Sequence, residues 1–343
     1  MITLDSKERV IKAIEFEGPD KIPNGCYWLP GALNKYGERL TELFSKYPRD
    51  FGDLGYISDY WRAYEKGLYT DKWGCTWKNI QPGLLGRIVK HPLSDASIET
   101  LMNYEPPDPS EVINFDLIKR NFIKVASNKY LLGDSENFFE RLHWLRGFEK
   151  TLIDIVLGRK ELHILLDKLL KYKLRLIKMW LELGVDGVYF LDDWGTQRGL
   201  MIRPDFWRSY FKPYYKKMFD MVHKAGKHVF FHSDGYILDI IQDLIEIGVD
   251  ALNVQIKLIG VNVLSKQFGG KVCFLADIDR QHLLPFGTPE EIERHIKYII
   301  KTLGSFDGGL ISWGEISIDV PLENAETMLK AFDKWGKYPL KSI

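Results

Sequence analysis

The sequence predicts an α/β protein built from parallel β/α units, and three observations carry that prediction. In the second half of the chain a helical pattern, a glycine and a short apolar run recur in fixed order: "MWLELG" then "VDGVYFLDD", "MVHKAG" then "KHVFFHSD", "LIEIG" then "VDALNVQ", and "SKQFGG" then "KVCFLADID". Gly184, Gly226, Gly248 and Gly270 suit the left-handed position that ends a helix. The runs after them carry Val, Phe, Leu and Ile on both faces, as strands do when helices cover one side and a barrel or sheet packs on the other. A fifth run, "GGLISWGE", precedes the helical stretch "PLENAETMLKAFDKW", and the alternation means parallel units.

The first half is less regular. "SKERVIKAIEF" reads as an amphipathic helix from Ser6 to Phe16 with Ser6 at its N-cap, and "DKIPNGCYW" reads as a strand entry. The glycines, tryptophans and alternation of Tyr69 to Pro92 predict a β-hairpin insertion able to form part of a lid. "YEPPDPSEV" is a proline-rich turn, and "KYLLGDSENFFERLHWLRGFEKTLIDIVLG" reads as a strand feeding one long helix. The aromatic stripe of that helix, Phe138, Phe139, Trp144 and Phe148, is assigned to core packing.

With 343 residues, 45% hydrophobic and 13% aromatic, the chain can bury a large core as one large domain or two ordinary ones. No composition shift marks a boundary, so residues 1–343 are read as one domain. Lys plus Arg equals Asp plus Glu at 47 each, which provides no general field for nucleic acid or an anionic membrane. The sequence lacks a leader-like apolar region near its start and an apolar run of membrane-spanning length, so a cytoplasmic protein acting on small molecules is expected. Cys26, Cys75 and Cys273 are too scattered for a disulfide framework or a cysteine-rich zinc site, and Cys273 reads as core.

Chemistry collects where the apolar runs end: Asp192-Asp193-Trp194, His232-Ser233-Asp234, Asn253-Val254-Gln255, Asp277-Ile278-Asp279 and Trp313-Gly314-Glu315. In a parallel β/α barrel such ends meet on the face that holds the active site. One polar ending is ordinary, because Asp and Ser also cap the next helix. Five in succession, with acids, amides and a histidine, point to a site.

The stretch "DDWGTQRGLMIRPDFWRSYFKPYYKKMFDMVHKAGKHVFFHSDG", with "DLIEIGVDALN", "ADIDRQHLLPFGTPEEI", the early "SKERVIKAIEFEGPDKIP" and the late "GGLISWGEISIDVPLEN", resembles the uroporphyrinogen decarboxylase-like superfamily over most of the chain. The resemblance implies a single (β/α)8 TIM-type barrel, here with an N-terminal helical extension. It also implies one of two activities: cofactor-free decarboxylation, or methyl transfer between a small molecule and a corrinoid carried by a partner protein. Two departures bear on the choice. The decarboxylases of the superfamily clamp substrate carboxylates with early arginines, whereas "NGCYWLPGALNKYG" contains none. The zinc-dependent thiol methyltransferases carry a His-x-Cys pair and a late cysteine. Here the pair is His232-Ser233-Asp234 and the late cysteine aligns with Gly314, beside Glu315, which leaves a harder nitrogen and oxygen set.

The expected activity is therefore transfer of a methyl group from a small O-methyl or N-methyl donor to a corrinoid-binding protein. His232 is either a neutral metal ligand or a general acid and base, with an unperturbed pKa of about 6.5. The plainer alternative is a histidine bonded to Asp234 or a neighbouring strand, with Asp234 capping "YILDIIQDLIEIG". His232 and Glu315 form the candidate acid pair or zinc site. Of Asp192 and Asp193, one faces the mouth and the other stabilises the "GTQRG" loop, since adjacent strand residues point to opposite faces; Asp193 is taken as catalytic. Asp277, Gln255, Gln197 and Gln281 offer polar contacts to substrate, and Trp194, Trp313 and Tyr27 an aromatic lining. The alternatives are a cofactor-independent decarboxylase of a smaller acid, using Asp279 or Asp193, and a non-catalytic binding barrel, which five polar endings argue against.

Overall fold

Strand pairing follows the recurrent units. In the computed structural model, which describes residues 3–55, 58–125 and 128–340, six strands pair in parallel in chain order: β5 (Leu132–Asn137), β6 (Gly187–Leu191), β7 (His228–Ser233), β8 (Ala251–Val254), β9 (Cys273–Ala276) and β10 (Leu310–Ser312). The N-terminal β1 (Tyr27–Trp28) pairs in parallel with β11 (Glu315–Ile316), the continuation of β10. An antiparallel sheet of β2 (Gly67–Thr70), β3 (Thr76–Asn79) and β4 (Arg87–Lys90) stands apart.

The segment 50–52 closes the ring. The Asp50 N–H donates to the Asn24 carbonyl (2.8 Å), the Tyr130 N–H to the Asp50 carbonyl (3.0 Å), and the Gly52 N–H to the Tyr130 carbonyl (2.9 Å). Phe51 pairs in parallel with Tyr130, and Asn24 with Ser312. Eight parallel segments thus form a barrel: 23–29, 50–52, β5, β6, β7, β8, β9 and β10 with β11. The expected (β/α)8 architecture is the observed one.

Alternation along these strands sorts side chains into two cores. Val188, Phe190, Val229, Phe231, Leu252 and Phe274 pack outward under the helices. Tyr189, Phe230, Ala251, Cys273, Leu275 and Ile311 fill the barrel, with Val10, Ala13 and Ile14 of the N-terminal helix Ser6–Ile14 packed into the same cluster. That helix therefore plugs the N-terminal end of the barrel. Gly184, Gly226, Gly248 and Gly270 all have the left-handed φ expected of them, at 96°, 67°, 107° and 73°. Among the described residues no helix is long and apolar enough to cross a membrane.

Three local expectations need correction. The helix Ser6–Ile14 is capped by Asp5, whose carboxylate accepts the Glu8 N–H at 2.8 Å, and Ser6 is its first helical residue. The insertion is a three-stranded meander instead of a hairpin. The long helix after β5 is three helices, Phe139–Arg146, Phe148–Leu157 and Lys160–Leu183, because Gly147 (φ 90°) and Gly158 (φ 59°) leave helical backbone. The first break turns Phe148 out to solvent (43% exposed), away from the core expected to hold the whole stripe.

One buried cation secures the closing segment. Arg9 bonds Asp20 (2.6 Å) and Asp50 (2.6 Å), and the other Asp50 carboxylate oxygen accepts the Asn24 N–H at 2.7 Å. Removing one partner from a buried pair leaves an uncompensated charge, which costs far more than the pair contributes when intact. Arg9→Met is expected to lower the unfolding free energy by about 3 kcal/mol or more, read by urea denaturation, and the added change Asp50→Asn should recover part of the loss.

Candidate functional site

A cavity of about 550 Å³ opens at the C-terminal ends of the barrel strands. Its floor is a cluster of tilted rings around Trp313: Phe51 at 5.1 Å between centroids, Tyr189 at 5.7 Å and Tyr27 at 6.0 Å. A Cβ on Gly25 would overlap the Trp313 ring, so the absent side chain in the first strand makes room for this floor. Above it the inward positions turn polar: His232 follows Phe230, Asn253 follows Ala251, Asp277 follows Leu275 and Glu315 follows Trp313, while in the strand Gly187–Leu191 the apolar Leu191 intervenes before Asp193.

His232 is at the centre of that polar layer. Its Nδ1 lies 2.5 Å from Asn253 Oδ1, while Asn253 Nδ2 donates to the Leu275 carbonyl at 3.0 Å. The amide orientation makes Asn253 Oδ1 an acceptor, so Nδ1 carries a hydrogen and Nε2 is left for a second proton or a metal. Nε2 lies 3.5 Å from one oxygen each of Asp193 and Asp234. Burial disfavours the imidazolium, but the hydrogen bond to Asp193 and the charges of Asp234 and Asp193 outweigh it and raise the His232 pKa to about 10. Burial likewise pushes Asp193 up, yet His232 holds it below the usual carboxylate range.

Two turns hold this trio in register. The Asp234 N–H donates to Asp193 Oδ1 (2.9 Å) and the Gly195 N–H to the Asp234 carbonyl (3.1 Å). A Cβ on Gly195 would lie 2.6 Å from the Gly235 backbone, so any side chain there would force the two turns, and with them the two aspartates, apart.

Arg280 forms the second half of the layer. Its guanidinium pairs with Asp234 and with both oxygens of Glu315 at 3.2 Å, and the Tyr27 hydroxyl donates to Glu315 at 2.9 Å. Burial opposes its charge, but Glu315, Asp234 and Asp277 together keep it protonated. Asp277 is pushed up to about 7 by burial, which Arg280 counters and the neighbouring Asp234 and Glu315 reinforce.

These contacts redraw the candidate pairings. His232, Asp277 and Glu315 share the mouth, but Glu315 is neutralised by Arg280, and the donor set around His232 is Asp193 and Asp234, with all three ligand atoms within 4.8 Å of one another. Asp234 makes no cap, since the helix Leu238–Glu246 begins without a side-chain cap. Asp192 faces outward and holds the turn after β5, accepting the Phe138 and Glu140 N–H groups and the Tyr215 hydroxyl; it does not hold the loop after β6.

Trp194 is fully buried, stacked on Phe139 at 4.0 Å and bonded to Tyr215, so it supports the wall from behind and lines nothing. Gln197 and Gln281 are exposed. Gln255 is buried and steadies Asp234 and the Gly235 N–H. Tyr27 and Trp313 do line the cavity, and so does Trp144 of the supposed core stripe. Asp279 pairs with Lys257 and caps the following turn beside a wider, shallower groove of about 630 Å³ that contains none of the polar layer. Asn253 and Arg280 were legible as close neighbours of candidate positions, two residues before Gln255 and three after Asp277. Arg49, Glu136 and Arg141 also line the cavity, and nothing local to their sequence marks them.

Residues 87–335 match the sequence family described as Uroporphyrinogen decarboxylase (URO-D). The chain belongs to this family. A uroporphyrinogen decarboxylase of Pseudoalteromonas atlantica is 25% identical over 258 residues, covering 70% of this chain and 69% of that one. Among solved structures, a methyltransferase from Methanosarcina mazei superposes with a TM-score of 0.72 at 18% identity, across 96% of this chain and 99% of the other. That likeness shows a shared fold. URO-D family members are enzymes, and the matched residues include the whole His232 and Arg280 network apart from Tyr27, whereas the segments 23–29 and 50–52 precede the match.

The His232 proton gives a direct check. The imidazole should stay protonated to about pH 10 by NMR, and Asp193→Asn should lower that value. Because the folded pKa is raised, the stability it contributes is complete below the unfolded value of about 6.5 and is lost as pH rises towards 10. Thermal unfolding should show the wild type's advantage over His232→Gln shrinking across that interval.

Proposed function

We propose that this URO-D family member is a methyltransferase that removes a methyl group from a small O-methyl or N-methyl donor and passes it to a corrinoid carried by a partner protein. The observation that carries the reading is the Asp193, His232 and Asp234 cluster beside a cavity with an aromatic floor. The fold shared with a methyltransferase of Methanosarcina mazei supports it. So does the stretch 24–37, which contains no arginine and therefore lacks the clamps that a substrate with many carboxylates needs.

Breaking a methyl–oxygen or methyl–nitrogen bond leaves its electron pair on the heteroatom, and an alkoxide or amide anion is a poor leaving group near neutral pH. His232 meets that need with a proton on Nε2, delivered to the heteroatom as the bond breaks. Asp193 and Asp234 keep the proton available and then stabilise the histidine's return to the charged form. Asn253 fixes the ring so that the same nitrogen always faces the reaction. Arg280 pairs with Asp234 and Glu315 and fixes both carboxylates in place beside His232. The corrinoid, on its partner, supplies the nucleophilic metal that accepts the methyl group.

The same three donors fit zinc, since one neutral imidazole nitrogen and two carboxylate oxygens suit a hard-to-borderline ion, and Asn253 provides the outer hydrogen bond typical of a ligating histidine. Zinc bound there would polarise the leaving heteroatom as a Lewis acid. Zinc and the second proton compete for Nε2.

With methylated donors and reduced cobalamin, followed by the absorbance of the cobalt centre, His232→Ala and Asp193→Asn should each lower transfer by about 10²-fold, as for loss of a positioned acid. Wild-type rates in both variants, or clear decarboxylation of uroporphyrinogen by the wild type, would overturn the reading. Metal analysis separates the two roles. About one zinc per chain, lost in His232→Ala, identifies the Lewis acid, and a metal-free protein with a pH-dependent rate identifies the proton donor.

A further inference from the structure

Among the described residues, Arg49 is the arginine of the cavity without an ion pair or a hydrogen bond from its side chain. It immediately precedes the closing segment 50–52, its backbone carbonyl is held by Lys129, and its side chain lines the cavity. Other arginines drawn into the protein face carboxylates: Arg9 bonds Asp20 and Asp50, Arg141 Asp71, Arg146 Asp154, and Arg280 Asp234 and Glu315. Among the described residues the Arg49 guanidinium has no ion pair and no hydrogen bond, and its Nε is enclosed without a partner. Asp53, whose charge reaches it, is exposed and uses one carboxylate oxygen to accept the Gly55 N–H at 2.7 Å.

Enclosing the Arg49 Nε without a partner is costly, and a half-buried guanidinium that opens on a cavity with no carboxylate of its own is placed to take one from a ligand. The planar fork of arginine matches a carboxylate by two parallel N–H···O bonds. A phosphate dianion fits less well. It needs more than one free cation, and Glu136, whose Oε1 is buried in the same cavity without a partner, would repel it. Glu136 also has a left-handed backbone (φ 56°), a strained state that tends to be kept where a side chain must point at a ligand. The remaining wall is largely aromatic, with Trp28, Trp61, Tyr64 and Trp144.

We propose that Arg49 anchors a carboxylate of the substrate, so that the methyl donor is a small methylated carboxylic acid held with its acid group on Arg49 and its methyl-bearing heteroatom towards His232. Naming that molecule as the methyl donor rests on the methyltransferase reading; the binding of a carboxylate does not.

The test is binding by calorimetry to matched probes: 4-methoxybenzoate and methoxyacetate, their neutral amides, and methyl phosphate. At least one carboxylate should bind on the order of tenfold more tightly than its amide, as expected for a charge-assisted pair. Arg49→Gln should bring the carboxylate down to the level of the amide without changing the amide, and Arg49→Lys should keep part of the preference. A thermal unfolding curve like that of the wild type excludes misfolding as the cause. Equal binding of acid and amide, no binding of any carboxylate, tightest binding of methyl phosphate, or a preference that survives Arg49→Gln would overturn the anchor. Efficient methyl transfer from a neutral donor, unchanged in Arg49→Gln, would also remove it while leaving the proposed reaction standing. A failure of methyl transfer with intact carboxylate binding would do the reverse.

Discussion

Closure of the barrel through Asp50 is the constraint on which the rest of the structure depends. Its backbone joins the first and third barrel segments, and its carboxylate ties the N-terminal helix to the first strand through Arg9 and the Asn24 N–H. Only a closed ring brings Tyr27 against Glu315 and sets Arg49 on the same cavity as His232. The segment that seals the fold thus also carries a wall of the site, a double role made possible by strands whose side chains alternate between the barrel interior and the helical layer.

Above the aromatic floor the polar layer works by matching charges. Six ionisable groups meet there, and Asp193, Asp234 and Glu315 would repel one another if left alone. His232 and Arg280 are interleaved among them, with Asp234 shared by both cations. Asp277 forms no ion pair among the described residues, and burial, only partly countered by Arg280, raises its pKa to about 7. Environment thus moves two acids of one layer in opposite directions, Asp277 raised by burial and Asp193 held low by His232.

Much of this was legible because it depends on short-range rules. The glycine that ends each helix, the apolar run after it and the polar turn at its end are local signals, and they placed His232, Asp277 and Glu315 on one face. Alternation also implied that Asp192 and Asp193 point opposite ways. What escaped the sequence depends on tertiary neighbours. Asp234 looks like a helix cap until Arg280, 46 residues later, is seen to hold it. Glu315 looks like a partner for His232 until the same arginine intervenes. Trp194 looks like a cavity wall until the Phe139 ring covers it. Arg49 immediately precedes a short closing segment without a strand pattern, so no periodicity pointed to the cavity it faces.

The seam between the first and last barrel strands joins Tyr27 to Glu315 across 288 residues. Both partners exist only after nearly the whole chain has left the ribosome, so the curled sheet must wait with two unpaired parallel edges. Contacts of such separation are slow to form because chain entropy is lost before they contribute, and an open edge can pair with another chain. During that interval the nine-residue helix Ser6–Ile14, too short to be stable alone, has no barrel end to pack against. Closure of the barrel at this seam is therefore expected to come late in folding, after the local helices and the chain-order strand pairs.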